Sequence, residues 1–111
     1  KPEVTSTITI TSDGPMEIDQ NKSYAVFQDN VVAVQADQTL KADRMEIYFD
    51  EVKKGIKNMI CTGHVVIIRG DNQSFADKAV YNGAEKRLTL SGRPKLILVT
   101  EGDNAITALG N

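Results

Sequence analysis

The chain has 111 residues, 41% of them hydrophobic and 25% charged, with formal net charge -2, one Cys and no Trp. That is room for a single domain spanning 1–111, and no run approaches the roughly 18 to 20 consecutive apolar residues of a membrane-crossing helix. Near-balanced charge and only three Tyr and three Phe disfavour a nucleic-acid binder, and Cys61, being alone, forms no internal disulfide and does not locate the compartment.

Val, Ile and Thr make up 29 of the 111 residues, the side chains that suit a pleated, half-buried surface, so an all-β domain is expected. The first element is Val4 to Thr11, where Val4, Ile8 and Ile10 alternate with Thr5, Thr7, Thr9 and Thr11 in the period-2 pattern of a strand with one wet face. Alternation returns at Ala25/Phe27, Leu40/Ala42, Met45/Ile47/Phe49 and Leu88/Leu90. Turn residues punctuate it at Asp13-Gly14-Pro15, Asp29-Asn30, Gly70-Asp71-Asn72, Asn82-Gly83 and Gly102-Asp103-Asn104. Met45, Tyr48, Phe49, Val52 and Ile56 also satisfy helical spacing, and local periodicity alone does not separate helix from strand there.

An internal repeat decides between them. Ala36-Asp37-Gln38 with Ala42, Gly70-Asp71-Asn72 with Ala76, and Gly102-Asp103-Asn104 with Ala108 are three copies of one pattern, 34 and 32 residues apart. Asn30 to Val34 matches His64 to Ile68, and Ala42-Asp43-Arg44 matches Ala76-Asp77-Lys78, at the same offset of 34. The second copy runs into Val80-Tyr81-Asn82-Gly83, a hairpin signal, so Ile47-Tyr48 is expected to be a strand as well. Short strands at this period point to stacked units sharing one apolar face, with unpaired edges at both ends.

Catalytic and metal chemistry find little support. His64 is the single histidine, and Cys61, three residues before it on a β segment, points the opposite way by parity. Asp37, Asp71 and Asp103 recur once per repeat but are isolated, which suits turn capping better than calcium. No enzyme activity, metal or cofactor is expected. Asp43-Arg44 and Asp77-Lys78 read as exposed charge pairs, and Arg44, Glu51, Lys53, Lys54 and Lys57 as a solvated face.

The ordered series Ile10-Thr11-Ser12-Asp13, Ala25 to Val31, Leu40 to Tyr48, Gly63-His64-Val65, Ala76 to Tyr81 and Leu88 to Gly92 resembles the OstA-like/LptA family of lipopolysaccharide transport proteins, which includes LptA and the periplasmic domain of LptC. It departs from the family at Asp29, where Gly is usual before Asn-Val, and in being short. The resemblance implies a V-shaped antiparallel β-jellyroll, or β-taco, with an apolar groove that shelters lipopolysaccharide acyl chains in the periplasm. It also implies edge-to-edge pairing with other β-jellyroll transport proteins or a head-to-tail homo-oligomer. The groove is then expected to be lined by Ile8, Ile10, Met16, Ile18, Phe27, Val32, Leu40, Met45, Ile47, Ile60, Ile67, Phe75, Leu88, Leu90 and Leu96. Edge pairing would involve Thr7, Ile8, Thr9 and Ile10 at one end and Ala105, Ile106 and Thr107 at the other. The residues themselves favour a filled core, as in a protein-interaction module without lipid, and it is the resemblance that reverses this; consecutive apolar positions leave the faces of Asn30 to Val34 and His64 to Ile68 undecided. A carbohydrate-binding sandwich is disfavoured by the absence of Trp.

Overall fold

A computed structural model describes residues 6–102. Eight antiparallel strands form one sheet: β1 (Thr9–Thr11), β2 (Met16–Asp19), β3 (Tyr24–Gln35), β4 (Gln38–Asp50), β5 (Gly55–Arg69), β6 (Asn72–Asn82), β7 (Arg87–Ser91) and β8 (Lys95–Ile97). The path is β1-β3-β4-β5-β6-β7, with β2 also on β3 and β8 also on β6. The segment with helical spacing is the end of β4, a turn, and the start of β5. Of the strand expected over Val4 to Thr11, Val4 and Thr5 lie outside the described residues and the described part is strand over Thr9–Thr11; the last strand expected at Asn104 also lies outside the described residues.

The four central strands have 11 to 15 residues each, and each of the three pairings among them slips near its middle. Pairing slips between Gln28 and Val31 in β3, between Lys41 and Arg44 in β4, and between Thr62 and Val65 in β5. At the slips sit pairs of residues with left-handed backbone: Asp29 and Asn30 (φ 72° and 52°), then Gly63 and His64 (φ 83° and 48°). Gly92 and Arg93 (φ 78° and 52°) repeat the pattern between β7 and β8. An extra residue in one strand bends it and sharpens its twist, and when the slips align across neighbours the whole sheet folds along that line. Asp29-Asn30, expected as a boundary between elements, is therefore a bulge inside one strand, with Asp29 accepting the conformation that its counterpart Gly63 adopts freely.

The fold line divides the sheet into two arms. One holds β1, the ends of β3 and β5, the starts of β4 and β6, and β8; the other holds β2, β7 and the remaining halves. The inner face carries one cluster drawn from both arms: Ala33, Leu40 and Ile67 from the first, Ala25, Phe27, Met45, Ile47, Cys61 and Ala79 from the second, with Val31, Ala42 and Val65 near the fold line. The alanines let the arms approach closely, and the molecule is 21 Å across its thinnest axis against 58 Å along its longest. No side chain among the described polar residues is buried without a hydrogen-bond partner.

Candidate functional site: the interior between the arms and its rim

Cross-strand pairing places side chains on faces row by row. Ile10, Ala33, Leu40, Ile67, Ser74 and Leu96 form one inner row; Met16, Phe27, Met45, Cys61, Ala79 and Leu90 another; Ile18, Ala25, Ile47, Met59, Tyr81 and Leu88 a third. Directly paired residues share a face, so Ile10, Met16, Ile18, Phe27, Leu40, Met45, Ile47, Ile67, Leu88, Leu90 and Leu96 lie on the inner face, as does Ile8 by alternation with Ile10. Three candidates lie on the other side. Val32 and Phe75 share an outer row with Lys41, Val66 and Lys95, and Ile60 shares one with Glu17, Val26, Glu46 and Val80. Lys95 Nζ stands 5.2 Å from the centre of the Phe75 ring, an amine over an aromatic face at the solvent side. The sequence list omitted Val31, Ala33, Cys61, Val65 and Ala79, all of which are in the inner cluster.

Burial changes along the sheet. In the middle the inner face is filled, Met45 being 0% exposed and Ile47 1%. At each edge one strand is bare and the other is not: Met16 and Ile18 of β2 are 50% and 56% exposed and Leu96 of β8 61%, whereas Ile10 of β1 and Leu88 and Leu90 of β7 pack against the cluster. Thr9 and Ile10 lie in the edge strand β1, Thr7 and Ile8 just before it, and Ala105, Ile106 and Thr107 lie outside the described residues. Between the arm tips is a cavity of about 420 Å³, lined from one arm by Ile8, Ala33, Gln35, Gln38 and Leu40 and from the other by Lys54, Ile56, Met59, Tyr81 and Leu88. Its size falls within the ~300–1,000 Å³ of ligand sites. A second cavity, of about 490 Å³, adjoins the same turn and is lined by Ile8, Ile10, Ile47, Phe49, Lys54 and Ile56 among others.

The fold line carries its own polar ladder. Asn30 Nδ2 donates to Asp13 Oδ2 at 3.1 Å, His64 Nδ1 lies 2.8 Å from Asp43 Oδ2, and Arg93 Nη2 donates to Asp77 Oδ1 at 3.1 Å. In each pair one of the three left-handed residues meets an Asp from a neighbouring segment. Asp43 and Asp77, read from sequence as members of exposed charge pairs with Arg44 and Lys78, are instead positioned partners of His64 and Arg93 in the bend. A Cβ on Gly63 would collide with the Asp43 side chain, and one on Gly92 would stand 2.6 Å from the Asp77 Cβ. The Asp43 hydrogen bond and charge, with a smaller contribution from Asp77, raise the His64 pKa above its ordinary value. Cys61 faces the interior, where burial pushes its thiol up to about 12, so it is protonated and shielded. Among the described residues no group of three His, Cys, Asp or Glu is placed to hold a metal ion, and no helix is long and apolar enough to cross a membrane.

A sheet folded upon an apolar inner face, filled in its middle and uncovered at β2 and β8, defines a class of β module built around a groove. The sequence matches, over residues 9–109, the family described as LptA/(LptD N-terminal domain) LPS transport protein, and the chain belongs to that family. Among solved structures it is similar to LptH of Pseudomonas aeruginosa, described as the LptA-homologous periplasmic component of the conserved lipopolysaccharide transport device; identity is 13%, coverage 85% of this chain and 96% of that one, and the TM-score 0.45. No curated protein matches its sequence.

Proposed function

We propose that this chain is a non-enzymatic periplasmic carrier module that holds lipopolysaccharide acyl chains against its inner face and continues that face into neighbouring modules by pairing at β1/β2 and β7/β8. Family membership supplies the cargo class. The observation that carries the reading is the gradient of exposure: inner rows run from bare Met16 and Ile18 through buried Met45 and Ile47 to half-buried Leu90 and Leu88, and a further row runs from half-buried Ile10 through Leu40 to bare Leu96. An amphiphile crossing water with bare tails costs about 0.8 kcal/mol per exposed CH₂, and a wall of aliphatic side chains removes that cost without chemistry. A photo-crosslinking residue at Leu88 or Phe27 is expected to capture lipopolysaccharide, and one at Val32 or Phe75, on the outer face, to capture little. Capture from the outer positions alone would end the groove reading. For edge pairing, Pro at Ile8 or at Ile106 is expected to abolish concentration-dependent association in light scattering; an unchanged mass for both variants and the parent would refute it.

One observation favours a second reading, a module that binds only proteins at its edges. The central inner face is packed by the chain's own side chains, Val31, Met45 and Ala79 being 0% exposed. If no inner position crosslinks lipopolysaccharide while the Pro variants do abolish association, this second reading holds.

A further inference from the structure

The turn joining β4 to β5 ends in Lys54, whose backbone is left-handed (φ 55°) and whose side chain is exposed. The turn is braced from within, because Asp50 Oδ1 accepts the backbone N–H groups of Val52 and Lys53 at 3.2 and 3.1 Å. Lys54, the last residue of the turn, borders both cavities at the mouth between the arms. In the 420 Å³ cavity the other lining residues are aliphatic, aromatic or uncharged polar, so Lys54 is its only charged group among the described residues. Its polar neighbours across the mouth, Ser6 and Gln35, are bonded to each other at 3.1 Å. Among the described residues no carboxylate forms an ion pair with Lys54, whereas Arg44, His64 and Arg93 each have one.

A lone cation at the rim of an apolar cavity complements an amphiphile that is anionic at the junction of head and tail. We infer that Lys54 is a specificity-determining contact of the groove, binding the anionic headgroup, of phosphate type, of a lipid whose chains lie against Leu40, Ile56, Met59 and Leu88. This rests on the carrier reading and adds to it where the headgroup sits and which residue selects it. The nearby acids do not substitute for the ligand: Asp50 and Glu51 border the 490 Å³ cavity but not the 420 Å³ one, and Asp50 is engaged by the turn's own N–H groups.

The test compares two probes of equal tail, dodecyl phosphate and dodecyl maltoside, each below its micelle concentration, by calorimetry on the parent chain and on Lys54→Gln and Lys53→Gln. Lys53 has the same charge in the same turn but does not border either cavity. Lys54→Gln is expected to weaken dodecyl phosphate by about fivefold, the upper range for an exposed ion pair, and to leave dodecyl maltoside unchanged. Lys53→Gln should alter neither, and the phosphate preference should shrink as salt is raised. Equal losses in both variants would reduce the effect to net charge, and no loss in Lys54→Gln would remove the residue from recognition; either overturns the inference while the groove stands. Failure of the parent to bind either probe overturns the carrier reading, and this inference with it.

Discussion

Ile47 and Ile60 are the same residue type on adjacent strands of the same arm, and the pairing register puts them on opposite faces. Ile47 is 1% exposed and pairs with Ala25 and Met59, whereas Ile60 is half-buried opposite Glu46 and Val80. Truncating Ile47 to Ala removes three carbons worth about 2.4 kcal/mol of transfer free energy at ~0.8 kcal/mol each. Its neighbour Ala25 is too short to fill the gap, so a cavity term adds to this, giving about 3–4 kcal/mol, within the ~2–5 measured for such truncations. At Ile60 the side chain is already partly hydrated and water enters the vacated space, so the loss should be about 1 kcal/mol. In urea, with a slope of ~1.5 kcal/mol/M for a domain of this size, the midpoint should fall by about 2 M for Ile47→Ala and by under about 0.7 M for Ile60→Ala. Equal shifts, or a larger one at Ile60, would mean that the inner face is not the one that holds the fold together.

Gly63→Ala should destabilise more than Gly70→Ala in thermal melts: both residues have positive φ, which costs a side chain about 1–2 kcal/mol, but only at Gly63 does the new Cβ also strike Asp43. The His64 ring should titrate above its usual range by NMR, and Asp43→Asn should bring it back down; because the folded pKa is raised, the pair's stabilisation is present below the unfolded value near 6.5 and fades as pH climbs through the folded one. Cys61 should resist a thiol reagent in the native protein and react once urea unfolds it; its folded pKa of about 12 against 9.0 also means stability should fall as pH rises between those values.

The period of 34 held more information than its first use extracted. Applied as a strict correspondence, it pairs Phe27 with Cys61, Val26 with Ile60, and Lys41 with Phe75. Phe27 and Cys61 do share an inner row, while Ile60 and Phe75 follow Val26 and Lys41 to the outer face. Choosing the most apolar residue of each segment misplaced Ile60 and Phe75, where the repeat would have placed them correctly. Val32 failed for a different reason: Val31 and Val32 are equally apolar, and only the register beyond the bulge at Asp29-Asn30 decides which turns inward. The bulges also explain why β4 reads as two phases, even residues Leu40 and Ala42 and then odd residues Met45 and Ile47, both on the inner face. All-β architecture and the hairpin turns were legible because they are local. The fold line was not, since it arises only when bulges in neighbouring strands line up.

On the carrier reading, the filled middle and the bare edge strands β2 and β8 set where loading begins. Parting the arms around Met45 and Ile47 exposes apolar surface at a cost that only an incoming chain offsets, CH₂ for CH₂. At Met16, Ile18 and Leu96 that surface is already exposed, so a tail arriving at an edge gains contact before anything has to open. The ladder at the fold line ties neighbouring segments at Asp13–Asn30, Asp43–His64 and Asp77–Arg93, so on this reading the bend is expected to hold while the tips part. Widening should therefore occur at the mouth near Ile8, Lys54 and Leu88 and progress inward from an edge. A second module paired at that edge would lengthen the uncovered stretch and lower the cost of each further step.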